Sequence, residues 1–190
     1  MHINLKTTRI VNEKRPEAKL VKALYERSFP KIERVAFSLV LKCAGTDRAE
    51  LFSYSDGGEF VGFAFVLLPG NYAYLLFCAT KPELRRRGYG SAMLKKLRRR
   101  YPDRALVLDI EPMSESAPNS EQRLRRYMFY KNNGFIDTGY EMRDVTGEYR
   151  ILSDGGDLDL SAFVESYDIL PEIFEGTQIF RDGEKEAVRL

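Results

Sequence analysis

Cys78-Ala79-Thr80-Lys81-Pro82-Glu83-Leu84-Arg85-Arg86-Arg87-Gly88-Tyr89-Gly90-Ser91-Ala92-Met93-Leu94 is the stretch on which the reading of this sequence turns. Before it, Tyr72 to Ala79 is apolar and strand-like. From about Gly88 to Tyr101 the period changes, and Met93, Leu94, Leu97 and Tyr101 fall on one side of a helix. Pro102 and Asp103 end that helix. Ala105-Leu106-Val107-Leu108-Asp109-Ile110 follows as a short, nearly continuous apolar strand, the kind buried in a parallel arrangement. Strand, crossover helix, strand is an α/β signature, with the arginine–glycine loop at the strand-to-helix junction. Glycines there let the backbone turn sharply and bare its N–H groups. The helix N-terminus adds unpaired donors and the positive end of a dipole. Together with Arg85, Arg86 and Arg87 they predict a cradle for a diphosphate.

Two other phosphate loops are excluded. A Walker loop ends in Gly-Lys-Ser/Thr, whereas Gly90 is followed by Ser91-Ala92. A dinucleotide fingerprint needs a glycine or alanine where Met93 stands, and the strands before the loop do not make a Rossmann opening.

Outward from the loop, Glu50 to Tyr54 and Glu59 to Leu68 flank the turn Asp56-Gly57-Gly58 and predict a hairpin. Pro69-Gly70-Asn71 connects it to Tyr72, giving an antiparallel meander. Ile3 to Ile10 alternates as a strand. Pro16 starts a helix with Leu20, Val21, Leu24 and Tyr25 as its stripe, and a weaker one is expected over Ile32 to Cys43. Asn119-Ser120-Glu121-Gln122 has the form of a capping box; Leu124, Tyr127, Met128 and Lys131 follow, and Asn133-Gly134 closes the helix. Phe135 to Met142 and Gly147 to Leu152 predict a hairpin. Asp154 to Asp159 is a turn into a helix over Leu160 to Tyr167. The last twenty residues carry no pattern that assigns an element.

At 190 residues the chain suits one large domain, with 44% hydrophobic and 31% charged residues as in ordinary globular proteins. No apolar run approaches the roughly 20 residues that span a bilayer, and Met1 to Lys6 shows no secretory pattern. Only Cys43 and Cys78 occur, both in apolar settings, which suits reduced thiols and a cytoplasmic location. Net charge is +2, unevenly spread: ten basic against two acidic residues over Lys81–Arg104, five against thirteen over Glu141–Leu190. That asymmetry suits an anion site or the docking of two surfaces. No metal is expected. His2 is the sole histidine, and the Asp154–Asp159 turn lacks the spacing and terminal Glu of a calcium loop. The arginine triplets at 85–87 and 98–100 lack the aromatic platform or recognition helix of a nucleic-acid binder, so neither nucleic acid nor membrane is an expected partner.

The stretch from Cys78 to Leu94, followed by Tyr127-Met128-Phe129-Tyr130-Lys131-Asn132-Asn133-Gly134-Phe135, resembles the GNAT superfamily of N-acetyltransferases. The first block is similar to its acetyl-CoA signature and the second to its Phe-Tyr helix ending at Gly-Phe. The resemblance spans roughly Glu50 to Met142. It implies a mixed sheet with splayed crossover strands, a catalytic domain over 1–145 and an extension, 146–190, packed on the same domain. It implies acetyl-CoA as co-substrate and a primary amine, on a small molecule or a peptide, as acceptor. Cys78, Ala79 and Thr80 match main-chain positions that pair with pantetheine; Arg85, Arg86, Arg87, Gly88, Tyr89, Gly90 and Ser91 match the diphosphate loop. A backbone N–H near Cys78 would meet the oxyanion. Tyr130 matches the tyrosine that protonates the departing thiolate, a role open to a phenol of pKa near 10.

This sequence departs from the family at two places. Tyr72 to Ala79 lacks the acid many relatives carry, and Arg123 stands where an Asn is common. Glu111, beyond the second strand, can serve as base, as anchor for the amine or as a surface acid. The missing acid leaves open a catalytically inactive, acetyl-CoA-binding regulatory domain of the same fold. A monomer and a homodimer are equally compatible with the sequence.

Overall fold

Apolar residues that alternate through the first half of the chain build a meander, and a computed structural model describes it within residues 3–184 and 186–188. His2 lies outside the described residues. Strand β1 (Lys6–Ile10) pairs antiparallel with β2 (Ala49–Asp56), which turns through Gly57-Gly58 into β3 (Glu59–Leu67) and then β4 (Tyr72–Thr80). The Asp56-Gly57-Gly58 hairpin forms as the turn chemistry requires. β1 starts three residues later than alternation suggests.

Helix α1 (Pro16–Ser28) begins at its proline and buries Ala18, Val21, Leu24 and Tyr25. Leu20, read as part of the stripe, is 48% exposed. The continuous helix expected over Ile32–Cys43 is instead a 3-10 turn, Lys31–Glu33, and a separate helix α2 (Phe37–Ala44). The Tyr25 hydroxyl donates to the Val35 carbonyl at 3.0 Å, and the adjoining Arg34 and Ala36 are in non-helical conformations.

After β4 a 3-10 turn, Pro82–Leu84, leads to α3 (Tyr89–Arg100) and then β5 (Ala105–Ile110). Met93, Leu94 and Leu97 of α3 are at most 1% exposed, each contributing on the order of 2 kcal/mol by burial. Helix α4 (Ser120–Asn132) ends as expected: Gly134 N–H donates to Lys131 C=O at 3.0 Å and Phe135 N–H to Tyr130 C=O at 3.1 Å, the paired bonds of a Schellman cap. Its start does not match expectation. Asn119 makes no side-chain cap; its amide donates to Glu111 at 3.2 Å and its carbonyl accepts from Arg123 Nε at 2.8 Å. The α4 stripe is also displaced: Leu124 and Met128 are exposed, and Tyr127, Phe129 and Tyr130 pack against the core.

Beyond α4, β6 (Ile136–Asp144) and β7 (Gly147–Ser153) form a hairpin. Asp159 caps α5 (Leu160–Ile169), accepting from Ser161 and Ala162 N–H. The unassigned tail supplies α6 (Pro171–Phe174) and β8 (Gln178–Arg181), the latter pairing with β6. All eight strands join one mixed sheet in the order β1-β2-β3-β4-β5-β7-β6-β8. Strand β7 inserts between β5 and β6, so residues on both sides of position 145 share the sheet. Helices α1, α2, α5 and α6 cover one face, α3 and α4 the other. No helix among the described residues is long and apolar enough to cross a membrane.

Candidate active site

Among the described residues only β4 and β5 pair in parallel, and they do so over three positions: Tyr72 with Ala105, Ala73 with Leu106, Tyr74 with Val107. Past that point they separate. A bulge sits at the same level, where Phe65 opposes Phe77 and Val66 opposes Leu75, leaving Leu76 extra in β4. An extra residue bends its strand and raises the local twist. This is the physical cause of a gap with one free strand edge on the β4 side.

The register decides which β4 groups face the gap. Lys81 N–H donates to Val61 C=O at 2.8 Å, so Lys81 and Val61 are a hydrogen-bonded pair. Alternation makes Ala79 and Phe63 the next such pair. The main-chain groups of Ala79 therefore bond to β3, while those of Cys78 and Thr80 point to the gap. The Cys78 side chain is half-buried on the α3–α4 side, and burial pushes its thiol up to about 12. It stays a thiol near neutral pH, unsuited to nucleophilic work.

The loop from Arg85 to Ser91 leads out of this edge. Arg86 (φ 61) and Gly88 (φ 85) are both left-handed, and Gly88 is the residue at the N-cap of α3. The first backbone bond into α3 is Ala92 N–H to Gly88 C=O at 3.0 Å. None of the N–H groups from Arg86 through Ser91 has an acceptor among the described residues. The side chains of Arg85, Arg86 and Arg87 are exposed and make no ion pair there. Tyr89 points away, its hydroxyl donating to Asp56 at 3.1 Å. Gly90 is glycine for want of room: a Cβ would lie 2.9 Å from the Phe129 ring, which packs edge-on to Tyr130 at 5.0 Å. The Arg85–Ser91 loop and Tyr130 are thus joined through the Phe129 ring.

Tyr130 lies on α4 between the Phe129 and Phe135 rings, and its hydroxyl makes no hydrogen bond among the described residues. Its pKa is raised, chiefly by burial and then by the Cys78 thiol; Arg126 opposes the rise and Asp109 adds to it. Tyr130 packs on the α3–α4 face of the sheet.

Asp109 is the residue the sequence reading missed. It interrupts the apolar run of β5 and points to the face opposite α3, where it accepts a hydrogen bond from the fully buried Tyr74 hydroxyl. Burial raises its pKa from 3.8 to about 6; the Tyr74 hydrogen bond works against that rise, and the Asp144 charge adds to it. A single carboxylate in an otherwise apolar strand was the available signal.

Glu111 is otherwise engaged. Arg123 reaches it at 2.9 Å, Arg126 at 2.8 Å and Asn119 at 3.2 Å. Burial favours a higher pKa, but the Asn119 hydrogen bond and the two guanidinium charges outweigh it and hold the carboxyl below its ordinary range. Arg123, at the position where an Asn is common, also donates to Pro112 C=O at 3.1 Å and so ties α4 to the end of β5.

A bare helix N-terminus flanked by arginines thus opens beside a split parallel pair, with the Tyr130 phenol on one face of the sheet and the Asp109 carboxylate on the other. The model of the acetyltransferase (GNAT) family matches residues 18–135, and the chain belongs to that family. Among solved structures, a GNAT-family protein from Bacteroides thetaiotaomicron matches with TM-score 0.67 and 22% identity over 89% of this chain and 96% of its own. The ribosomal-protein-S18-alanine N-acetyltransferase of Escherichia coli matches with TM-score 0.58 and 16% identity, covering 82% and 96%. An aminoglycoside 6'-N-acetyltransferase complexed with coenzyme A matches with TM-score 0.60 and 13% identity, covering 78% and 95%. No curated protein sequence matches the chain significantly.

Proposed function

We propose that the chain is an acetyl-CoA-dependent N-acetyltransferase acting on a primary amine. The observation that carries this is the run of acceptor-less N–H groups from Arg86 to Ser91, beside a strand edge left open by the splay of β4 and β5. Acetyl-CoA, when bound, supplies an activated acyl thioester. The N–H groups of Arg86, Arg87, Gly88, Tyr89, Gly90 and Ser91 hold the diphosphate, with Arg85, Arg86 and Arg87 as countercharge. The main-chain groups of Cys78 and Thr80 pair with the pantetheine arm, with Ala79 between them bonded to β3.

Tyr130 and Asp109 divide the proton transfers. Environments that push two titratable groups apart assign acid and base. Tyr130 is held protonated and can deliver its proton to sulfur. Asp109, with a pKa of about 6, is mostly ionised at pH 7 yet more basic than an ordinary aspartate, which suits it to take a proton from the incoming ammonium. Glu111, held by two arginines, is proposed as an anchor of α4 rather than as the base.

The test combines calorimetry with acetyl-CoA and release of free CoA thiol in the presence of n-butylamine. Binding together with amine-dependent release is expected. Binding without release would leave the inactive, acetyl-CoA-binding reading, and absence of binding would refute the site altogether.

A further inference from the structure

The acceptor side of the gap bears on what kind of amine enters it, an inference that rests on the acetyltransferase reading above. We infer that the acceptor amine is carried by a polypeptide, a lysine side chain or a chain terminus, with basic and apolar residues beside it.

Three features meet there. The first is size. A cleft of about 190 Å³ is lined by Glu33, Glu111, Glu148 and Tyr149, with Arg123 the one cation among its lining residues and bound to Glu111. Sites that enclose a whole drug-sized molecule run to about 300–1,000 Å³. This one accommodates a single aliphatic arm and leaves the rest of its bearer outside.

The second is charge. Glu111 and Glu148 are neutralised by arginines: Arg123 and Arg126 for the first, Arg143 for the second. Glu33, Asp109 and Asp144 have no cationic partner among the described residues. Glu33 is raised by burial, then by the Glu111 and Asp144 charges, with Arg126 opposing the rise. The Tyr167 hydroxyl is buried without a hydrogen-bond partner, and the Asp109 and Asp144 charges both act on it. Carboxylates at several points, with an unsatisfied hydroxyl among them, are complementary to more than one positive charge.

The third is the rim. Ile32, Met113 and Val145 are 66%, 55% and 84% exposed. Each is the chain neighbour of a cleft-lining residue, Glu33, Pro112 and Thr146 respectively, on three separate connections. Large apolar side chains exposed on the connections that line the cleft have little to offer a polyhydroxylated amine. A peptide whose amine enters the cleft lays its neighbouring side chains on that rim.

The experiment compares kcat/KM for N-acetyl-blocked peptides bearing one lysine between Leu and Arg, the same peptides with Ser and Asp flanks, unblocked peptides without lysine, n-butylamine, spermidine and kanamycin. Peptides with apolar and basic flanks should exceed n-butylamine, spermidine and kanamycin by at least about tenfold, the effect of some 1.4 kcal/mol. The combined variant Ile32→Ser/Met113→Ser/Val145→Ser should lower kcat/KM for those peptides about tenfold more than for n-butylamine. Glu33→Gln should shrink the advantage of the Arg flank. Spermidine or kanamycin equalling the best peptide, or a rim variant that affects both acceptors alike, overturns the inference while leaving the acetyltransferase reading intact. If even n-butylamine is not turned over and acetyl-CoA does not bind, that underlying reading falls, and this one with it.

Discussion

Asp109→Asn should make the protein more stable and much less active. In the native state the carboxyl is raised from 3.8 to about 6, so the fold holds that proton more tightly than the unfolded chain does. The protonated form stabilises fully below pH about 4, and that contribution is lost as pH rises through about 6. At pH 7 the fold therefore carries an ionised group it disfavours. Two pH units at about 1.4 kcal/mol each give about 3 kcal/mol, and part-exposure reduces this to about 1–3 kcal/mol. Asparagine keeps an oxygen that can accept from the Tyr74 hydroxyl and removes the charge. In a chain of this size the gain is a rise in Tm of about 3–8 °C at pH 7, falling to nothing near pH 4. Differential scanning calorimetry at the two pH values measures it. Loss of the base should lower kcat/KM at least about a hundredfold, and the acid limb near pH 6 should vanish from the pH profile. A variant less stable than wild type at pH 7, or one that keeps both turnover and the limb near pH 6, would refute the assignment of Asp109.

Tyr130→Phe should lower turnover by about ten- to a thousandfold, the scale of a general acid, with acetyl-CoA affinity by calorimetry nearly unchanged; an unchanged rate removes the phenol from the mechanism. Gly88→Ala should weaken acetyl-CoA binding about tenfold, because holding an L-residue at φ 85 costs roughly 1–2 kcal/mol and its Cβ would lie 3.2 Å from Ile3. Unaltered calorimetric affinity would show that the loop backbone does not form the site. Glu111→Gln should leave the acid limb near pH 6 in place while lowering Tm, since Arg123 and Arg126 lose their shared partner; disappearance of that limb would restore Glu111 as the base. Acetyl-CoA affinity should fall steadily between about 0.05 and 0.5 M salt as the exposed charges of Arg85, Arg86 and Arg87 are screened, and salt-independent binding would exclude them.

Much of this architecture is local and was readable before any coordinates. The period change around Gly88, the two-residue turn after Asp56 and the cap at Gly134 are each set by a few adjacent side chains, and the corresponding elements form as those patterns require. The left-handed turn at Gly88 and the start of α3 were legible for the same reason: glycines and a helix start need no distant partner to be recognised. What failed did so where a distant partner intervened. Asn119 has the right spacing to cap α4 but is drawn to Glu111 and Arg123, and the expected helix from Ile32 is interrupted at Val35 beneath the Tyr25 hydroxyl.

The order of the sheet, the splay of β4 from β5 and the surroundings of Asp109 lie beyond local pattern. Strand β7 enters between β5 and β6, and β4 parts from β5 after three pairs; the β4–β5 and β5–β7 pairings join residues 33 to 46 positions apart in the chain. Asp109 and Tyr74, separated by 35 positions, become a pair only when β4 and β5 lie side by side. Periodicity and turn chemistry record the free energy of neighbours along the chain. The pKa of a carboxylate records what surrounds it in space, and that environment exists only once the sheet has closed around it.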